Sequence, residues 1–178
     1  MDVKRIVVIV GSLRSASVNR AVARAAIALS PDSAHLAIHP IADVPLYNGD
    51  VEDRGTPESV LALHSAVAEA DGVLFFTPEY NGSLPAVTKN VIDWLSRPPH
   101  GLQGTPLAAV ATTPGSRAGA GVLGHFEAIF DHMSGDYVRF ASLGIGSYPD
   151  KLDEAGELAD AETRAELAAW LSDFISTL

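Results

Sequence analysis

The chain of 178 residues contains no cysteine, and this absence excludes several kinds of chemistry. Disulfide bonds and thiolate nucleophiles both require that residue. A phosphatase loop built around a catalytic thiol is excluded for the same reason. The absence of cysteine is compatible with a cytoplasmic location.

Basic residues are scarce, since 12 Lys and Arg stand against 22 Asp and Glu, which gives a formal net charge of −10. Such a charge repels nucleic acid and anionic membranes, so we expect neither as a partner. The charge is uneven along the chain. Residues 1–20 carry four basic and one acidic side chain, a net of +3, whereas residues 150–178 carry two basic and eight acidic ones, a net of −6.

Long hydrophobic runs are also absent. None reaches the length needed to cross a bilayer, and the apolar run near the amino terminus is shorter than that of a secretory signal. We therefore expect no membrane insertion and a cytoplasmic protein. With 47% apolar residues, the composition is typical of a globular protein, and we predict one domain over residues 1–178.

Strand-like and helix-like patterns alternate five times along the chain. The predicted strands are residues 6–10, 36–38, 73–77, 107–112 and 137–141. This alternation predicts an α/β fold in which helices cover both faces of a parallel sheet. Ligands bind such sheets beyond the carboxyl ends of the strands, where the strand order reverses.

A loop of small and hydroxylated residues follows the first predicted strand directly and reads GSLRSASVNR over residues 11–20. The apolar residues after it have the spacing of one helix face. The first N–H groups of a helix have no intrahelical partner, and the helix dipole adds partial positive charge, so this junction favours a phosphate. The side-chain donors of the loop are Ser12, Arg14, Ser15, Ser17 and Asn19.

A simpler interpretation is a helix capped by serine or asparagine, but these donors exceed what one cap needs. The loop lacks the Lys-Ser/Thr ending of a Walker loop and the spaced glycines of a dinucleotide fingerprint. We therefore predict a phosphate that is held and not hydrolysed.

Two further loops of unusual composition follow the third and fourth predicted strands, PEYNGS over residues 78–83 and TPGSRAGAG over residues 113–121. By itself, the first of these is best explained as a turn in which Asn81 and Gly82 adopt the left-handed backbone conformation. In a parallel sheet, both loops lie at the same edge as the phosphate loop. Together the three loops indicate one binding site.

The motifs GSLRSASVNR and TPEYNGSLPAVTKNVIDWLSRP, followed by the glycine-rich loop, resemble the NADPH-dependent FMN reductase family, which includes bacterial quinone, chromate and azo-dye reductases. The resemblance covers nearly the whole chain in the right order. It implies a flavodoxin-like three-layer sandwich with strand order 2-1-3-4-5. It also implies bound FMN, NADPH or NADH as co-substrate, and homodimers or homotetramers with the flavin near a subunit interface.

The resemblance also implies which residues bind the cofactor. Those on the phosphate positions are Ser12, Arg14, Ser17, Val18 and Asn19. Those on the loop that holds the isoalloxazine ring are Pro78, Glu79, Tyr80, Asn81, Gly82 and Ser83. A second flavin-edge loop corresponds to residues 114–117, with Gly115, Ser116 and Arg117. Tyr47 and Tyr80 are candidates for contacts beside the ring. The chain departs from the family at Ser15, where members often have a basic residue, and at Ala86, where they often have glycine.

The implied reaction is ping-pong transfer of hydride from NAD(P)H to flavin N5 and then to a small acceptor. Quinone-like, azo, metal-oxyanion and flavin acceptors all remain open. Because the flavin carries this chemistry, we predict no catalytic side chain. We also predict no metal site, because the closest histidine pairs, His35 with His39 and His125 with His132, lack consistent carboxylate partners.

Three alternatives remain open. A flavin reductase would use FMN as a released substrate. A flavodoxin-like electron carrier would not be an enzyme, although loop 78–83 resembles that of the reductases. A flavin-free interaction module is also compatible with the fold, because a fold does not determine a function.

Overall fold

The computed structural model describes residues 2–99, 101–133 and 135–178, which are built around one parallel sheet. The strand order is β2-β1-β3-β4-β5, which confirms the order 2-1-3-4-5 implied by the resemblance. The order reverses between β1 and β3, the position at which such sheets bind ligands. The strands are β1 (Lys4–Val10), β2 (Ala34–His39), β3 (Gly72–Thr77), β4 (Leu107–Thr112) and β5 (Leu143–Ile145).

Helices cover both faces of the sheet, as predicted. The helices are α1 (Val18–Leu29), α2 (Gly49–Glu52), α3 (Glu58–Ala68), α4 (Ala86–Leu95), α5 (Ala120–His132) and α6 (Ala161–Ser176). Buried side chains of α1 and α6 form the core on one face, and those of α3, α4 and α5 form the core on the other. Every residue of β3 and β4 is buried, which explains their continuous apolar runs.

The fifth strand lies further along the chain than predicted. The segment 137–141 forms one isolated bridge, between Leu107 and Arg139, and the ladder with β4 is made by Leu143–Ile145. The observed strand β5 contains Gly144, and glycine weakens a strand interior. A Cβ on Gly144 would lie 2.3 Å from the carbonyl oxygen of Ala118, so this glycine lets the β4–α5 loop contact the strand.

Two connections contain ordered structure of their own. The segment 43–54 contains α2, and α3 begins at Glu58 with Pro57 at the N-cap position. The acidic segment 150–160 is anchored at Leu158, which is buried, and at Glu157, which pairs with Arg24 on α1. Among the described residues, no helix is long and apolar enough to span a bilayer.

Candidate functional site

Three loops lie at the carboxyl edge of the sheet, after β1, β3 and β4. These three strands are neighbours in the sheet, so the loops that the sequence singled out share one edge. They differ in how they are held in place.

The loop after β1 uses its own side chains to order itself. Ser17 is the N-cap of α1, and its Oγ accepts a hydrogen bond from the backbone N–H of Arg20 at 3.3 Å. Ser12 is 4% exposed, and its Oγ accepts from the N–H of Arg14 at 3.4 Å. In the part of the chain that the structure describes, the backbone N–H groups of Val18 and Asn19 have no hydrogen-bond partner. These two N–H groups remain available to an anion.

The side chain of Asn19 connects α1 to the end of β4. It is 1% exposed, donates from Nδ2 to the carbonyl oxygen of Thr112 at 3.3 Å, and accepts at Oδ1 from the N–H of Thr112 at 3.2 Å. Because these bonds engage both ends of the amide, Asn19 offers a phosphate its backbone N–H. The Oγ1 of Thr112 is buried and has no partner among the described residues, and sequence reasoning did not identify it.

Gly11 brings the start of this loop close to β3 and α4. A Cβ at this position would lie 2.1 Å from the Oγ1 of Thr88 and 2.8 Å from the Oγ1 of Thr77. These two buried hydroxyls are 3.2 Å apart and share a hydrogen bond. A side chain at position 11 would therefore require the loop or these two threonines to shift.

Residues 80–83 form a tight two-residue hairpin. Tyr80 and Ser83 exchange two backbone hydrogen bonds of 3.0 Å, while Asn81 and Gly82 have φ values of 52° and 75°. Positive φ at both central positions is typical of a type I′ turn. The left-handed conformation expected for Asn81 and Gly82 is confirmed. Their N–H groups take no part in the hairpin bonds.

The hairpin is attached to α5. The Oε2 of Glu79 accepts from the backbone N–H of Val122 at 2.9 Å, and the Oγ of Ser83 lies 2.8 Å from the Nδ1 of His125. A Cβ on Gly121 would lie 2.8 Å from both Glu79 Oε2 and the carbonyl oxygen of Gly82. Sequence reasoning missed this attachment, although Gly121 in the glycine-rich loop was its signal.

The loop after β4 packs on the segment that follows β5. The carbonyl oxygen of Gly115 accepts from the Oγ1 of Thr113 and from the N–H of Ser147, both at 3.3 Å. Ser116 and Arg117 at its tip are exposed. Gly115, Ser116 and Arg117 therefore lie at the same sheet edge as the other candidate residues.

Several arginines at this edge have no partner, although the chain is rich in carboxylates. Within residues 2–99, 101–133 and 135–178, the basic side chains that form neither an ion pair nor a hydrogen bond are Arg14, Arg20, Arg54 and Arg117. Arg14 and Arg20 flank the loop after β1, and Arg117 belongs to the loop after β4. Arg14 and Ser17 line a cleft of about 260 Å³. Unpaired cations beside free N–H groups are suited to an anionic ligand.

Tyr47 lies in the loop between β2 and α2, where its side chain has partners of its own. Its hydroxyl donates to Glu52 at 2.9 Å, and this bond raises the pKa of Tyr47. Hydrogen bonds from Arg97, and then from Tyr47, lower the pKa of Glu52. The Tyr47 ring packs edge-on against Trp94 at 5.0 Å. Of the two tyrosines suggested for the ring, Tyr80 is the one that lies on the hairpin, and its side chain is 48% exposed.

Comparison with known proteins places this chain in a family. A model of the NADPH-dependent FMN reductase family matches residues 4–150. A quinone reductase of Pseudomonas putida is 38% identical over 98% of this chain and 95% of its own. The quinone reductase of Escherichia coli K12 is 37% identical over 96% of this chain and 93% of its own.

A solved structure supports the same family assignment. FerB of Paracoccus denitrificans, a flavoenzyme NAD(P)H:(acceptor) oxidoreductase, matches with a TM-score of 0.80 and 30% identity over 98% of this chain and 96% of its own. The family match and these relatives each span most of the chain. The chain therefore belongs to the NADPH-dependent FMN reductase family, and it is an NAD(P)H-dependent oxidoreductase that works with FMN.

Proposed function

We propose that the chain retains FMN, with the phosphate on loop 11–19 and the ring against hairpin 80–83, and reduces quinones at the expense of NAD(P)H. When bound, FMN supplies the hydride transfer. Two quinone reductases at 37–38% identity support a quinone as the acceptor.

The observation that carries this proposal is the set of unpaired groups beside loop 11–19. The N–H groups of Val18 and Asn19 begin α1, where the helix dipole adds partial positive charge. Arg14 adds a flexible charged donor. A phosphate monoester satisfies donors of both kinds.

The hairpin supplies the second part of the site. We assign the N–H groups of Asn81 and Gly82 to the polar edge of the ring, where they stabilise negative charge on its oxygens and nitrogen. The contacts of Glu79 and Ser83 with α5 hold these donors in place. Ser116 and Arg117 border the same edge, and we assign Arg117 to a phosphate of NAD(P)H.

We further propose that the protein forms homodimers through the groove between α4 and α5. The groove has a volume of about 510 Å³, and its apolar lining includes Leu84, Ile129 and Met133. It begins at Ser83, next to the hairpin. Its rim carries the Lys89–Asp93 ion pair, so a second copy related by twofold symmetry meets charges of both signs. Light scattering would test this proposal. The unmodified protein should be a dimer, and the substitution Ala128→Glu in the groove should yield monomers.

Since the reaction consumes NAD(P)H, we place the protein in the cytoplasm, which a fractionation experiment would test.

The direct test is the visible spectrum of the purified protein, followed by that of the filtrate after heat denaturation. A yellow protein that releases FMN and oxidises NADPH with a small quinone would support the proposal. A protein that stays colourless after incubation with FMN and desalting, yet still consumes NADPH and FMN together, would be a flavin reductase. FMN that exchanges electrons only with protein partners would indicate a carrier.

The variant Arg14→Gln tests the phosphate assignment separately. It removes an exposed charge that has no partner among the described residues, so the stability of the FMN-free protein should not fall. FMN affinity, measured by quenching of flavin fluorescence, should fall. Unchanged affinity would remove Arg14 from the phosphate site.

A further inference from the structure

Helix α5 lacks an N-terminal cap of its own. Its N-cap residue is Gly119, which has φ of 73° and no side chain, and the N–H of Ala120 donates to the carbonyl oxygen of Arg117. The cap comes instead from another loop, because the N–H of Val122 donates to the carboxylate of Glu79, which lies 43 residues earlier. A carboxylate at the N-terminal turn of a helix also interacts favourably with the helix dipole.

We propose that Glu79 is a positioning residue: its carboxylate fixes the flavin-ring hairpin on α5 and places a negative charge there that lowers the reduction potential of the bound flavin. This inference rests on the proposed function, because it assumes that the ring lies against hairpin 80–83.

The positioning role follows from how little else holds the hairpin. Its own ladder consists of the two hydrogen bonds between Tyr80 and Ser83, and an isolated two-stranded hairpin is at best marginally stable in water. Close packing at Gly121 and the contact of Ser83 with His125 supplement the Glu79 bond. The first two turns of α5 therefore support the donors assigned to the ring.

The effect on the potential follows from charge. The N-terminus of α5 carries partial positive charge, which would favour the reduced and anionic ring at the neighbouring hairpin. The carboxylate of Glu79 offsets that charge through the bond to Val122. Removing the charge while keeping an acceptor oxygen should therefore favour reduced over oxidised FMN and leave the backbone in place.

Two variants distinguish the positioning role of Glu79 from the effect of its charge on the flavin. Glu79→Gln keeps an acceptor for the N–H of Val122 and removes the charge, whereas Glu79→Ala removes both. Glu166→Gln is the matched control, because it removes one carboxylate from an exposed position on α6, far along the chain from the hairpin. Three measurements apply to each protein: amide hydrogen exchange of residues 120–124 without FMN, FMN affinity, and the midpoint potential of the bound flavin.

In the FMN-free protein, Glu79→Ala should lose protection from exchange at residues 120–124, and its FMN affinity should fall about tenfold. Glu79→Gln should keep most of the protection and of the affinity for oxidised FMN. It should raise the affinity for reduced over oxidised FMN by about tenfold, which for a two-electron couple raises the midpoint potential by about 30 mV. Glu166→Gln should match the unmodified protein in all three measurements.

Each arm can overturn the inference on its own. Unchanged exchange in Glu79→Ala would show that Glu79 does not hold the hairpin on α5. An unchanged potential in Glu79→Gln, or the same shift in Glu166→Gln, would exclude a local charge effect. If the unmodified protein bound no FMN, the proposed function would fail and the claim about the potential with it, while the exchange arm would still decide the positioning role.

Discussion

The loop after β1 and the hairpin after β3 form two parts of one candidate site, yet they are stabilised in opposite ways. The first is ordered mainly by neighbours in sequence, since Ser17 caps its own helix and Ser12 binds the N–H of Arg14. The second depends on α5, which begins 41 residues after Glu79 in the chain. The carboxylate of Glu79 and the hydroxyl of Ser83 both have hydrogen-bond partners on α5.

Because of this difference, we expect the donors of the two loops to be ordered independently of each other. Locally ordered donors form wherever the strand and helix form, so the proposed phosphate loop (residues 11–19) takes much of its geometry from short-range hydrogen bonds. The hairpin depends on how α5 docks, so the position of its donors responds to changes in that helix. We therefore expect substitutions to affect phosphate affinity and ring environment separately.

The largest effect on stability should come from Asn19→Ala, which removes the side-chain hydrogen bonds that connect α1 to the end of β4. It removes the donor to the buried carbonyl oxygen of Thr112 and one acceptor for its N–H, at a cost of about 3 kcal/mol of unfolding free energy. Urea denaturation measures this cost. The control is Asn48→Ala, which removes an exposed cap of the four-residue helix α2 and should cost about 1 kcal/mol or less. Equal losses in the two variants would mean that the loop does not depend on this connection.

The next effect concerns α5, where two glycines allow a paired test. Gly121→Ala places a Cβ 2.8 Å from Glu79 Oε2 and from the carbonyl oxygen of Gly82, and overpacking of this kind costs about 2 kcal/mol. Gly124→Ala meets no atom within 4 Å and should stabilise the helix by about 1 kcal/mol. The midpoint temperature of thermal unfolding should therefore fall in Gly121→Ala and rise in Gly124→Ala. Only Gly121→Ala should weaken FMN binding. Stabilisation by both variants would contradict the docking of the hairpin on α5.

These contrasts explain how much the sequence could predict. The sheet order was implied by family resemblance, and strands β1, β3 and β4 followed from continuous apolar runs. Loop 11–20 was identified because its donors are adjacent in sequence. The Glu79–Val122 and Asn19–Thr112 bonds join residues 43 and 93 positions apart, and no local pattern encodes such distances. The shift of β5 has the same origin, because Gly144 is explained only by the neighbouring loop.

A smaller effect is expected at the tip of the hairpin. Gly82 has φ of 75° with open space around its Cα, so Gly82→Ala introduces conformational strain without a clash. The left-handed conformation costs a non-glycine residue about 1 to 2 kcal/mol. Asn81→Gly is the matched variant, since glycine adopts the φ of 52° at that position without strain. A loss of stability in Asn81→Gly equal to that in Gly82→Ala would show that backbone conformation does not govern the turn.

In the loop after β1, the substitution comparable to Gly82→Ala in the hairpin is Ser17→Ala. It removes the N-cap side chain of α1 and should cost about 1 kcal/mol of unfolding free energy. Ser17→Asn should recover most of that loss, because asparagine is an equally good cap. FMN affinity should fall in Ser17→Ala without any change in the midpoint potential. A shifted potential would mean that the two parts of the site are not independent.

The smallest expected effect is a pH dependence of the unfolding free energy that comes from a residue beside the loop after β1. His39, at the end of β2, lines a cavity with Leu13 of the phosphate loop, and burial lowers its pKa below 6.5. The unfolded chain therefore binds a proton more readily, so stability should decline as pH falls from 6.5 towards the lower pKa of the folded state, and His39 should have no effect above 6.5. Urea denaturation across a pH series that spans 6.5 should show a flatter profile for His39→Asn than for the unmodified protein. An equally steep decline in the two proteins would show that His39 does not cause the acid sensitivity.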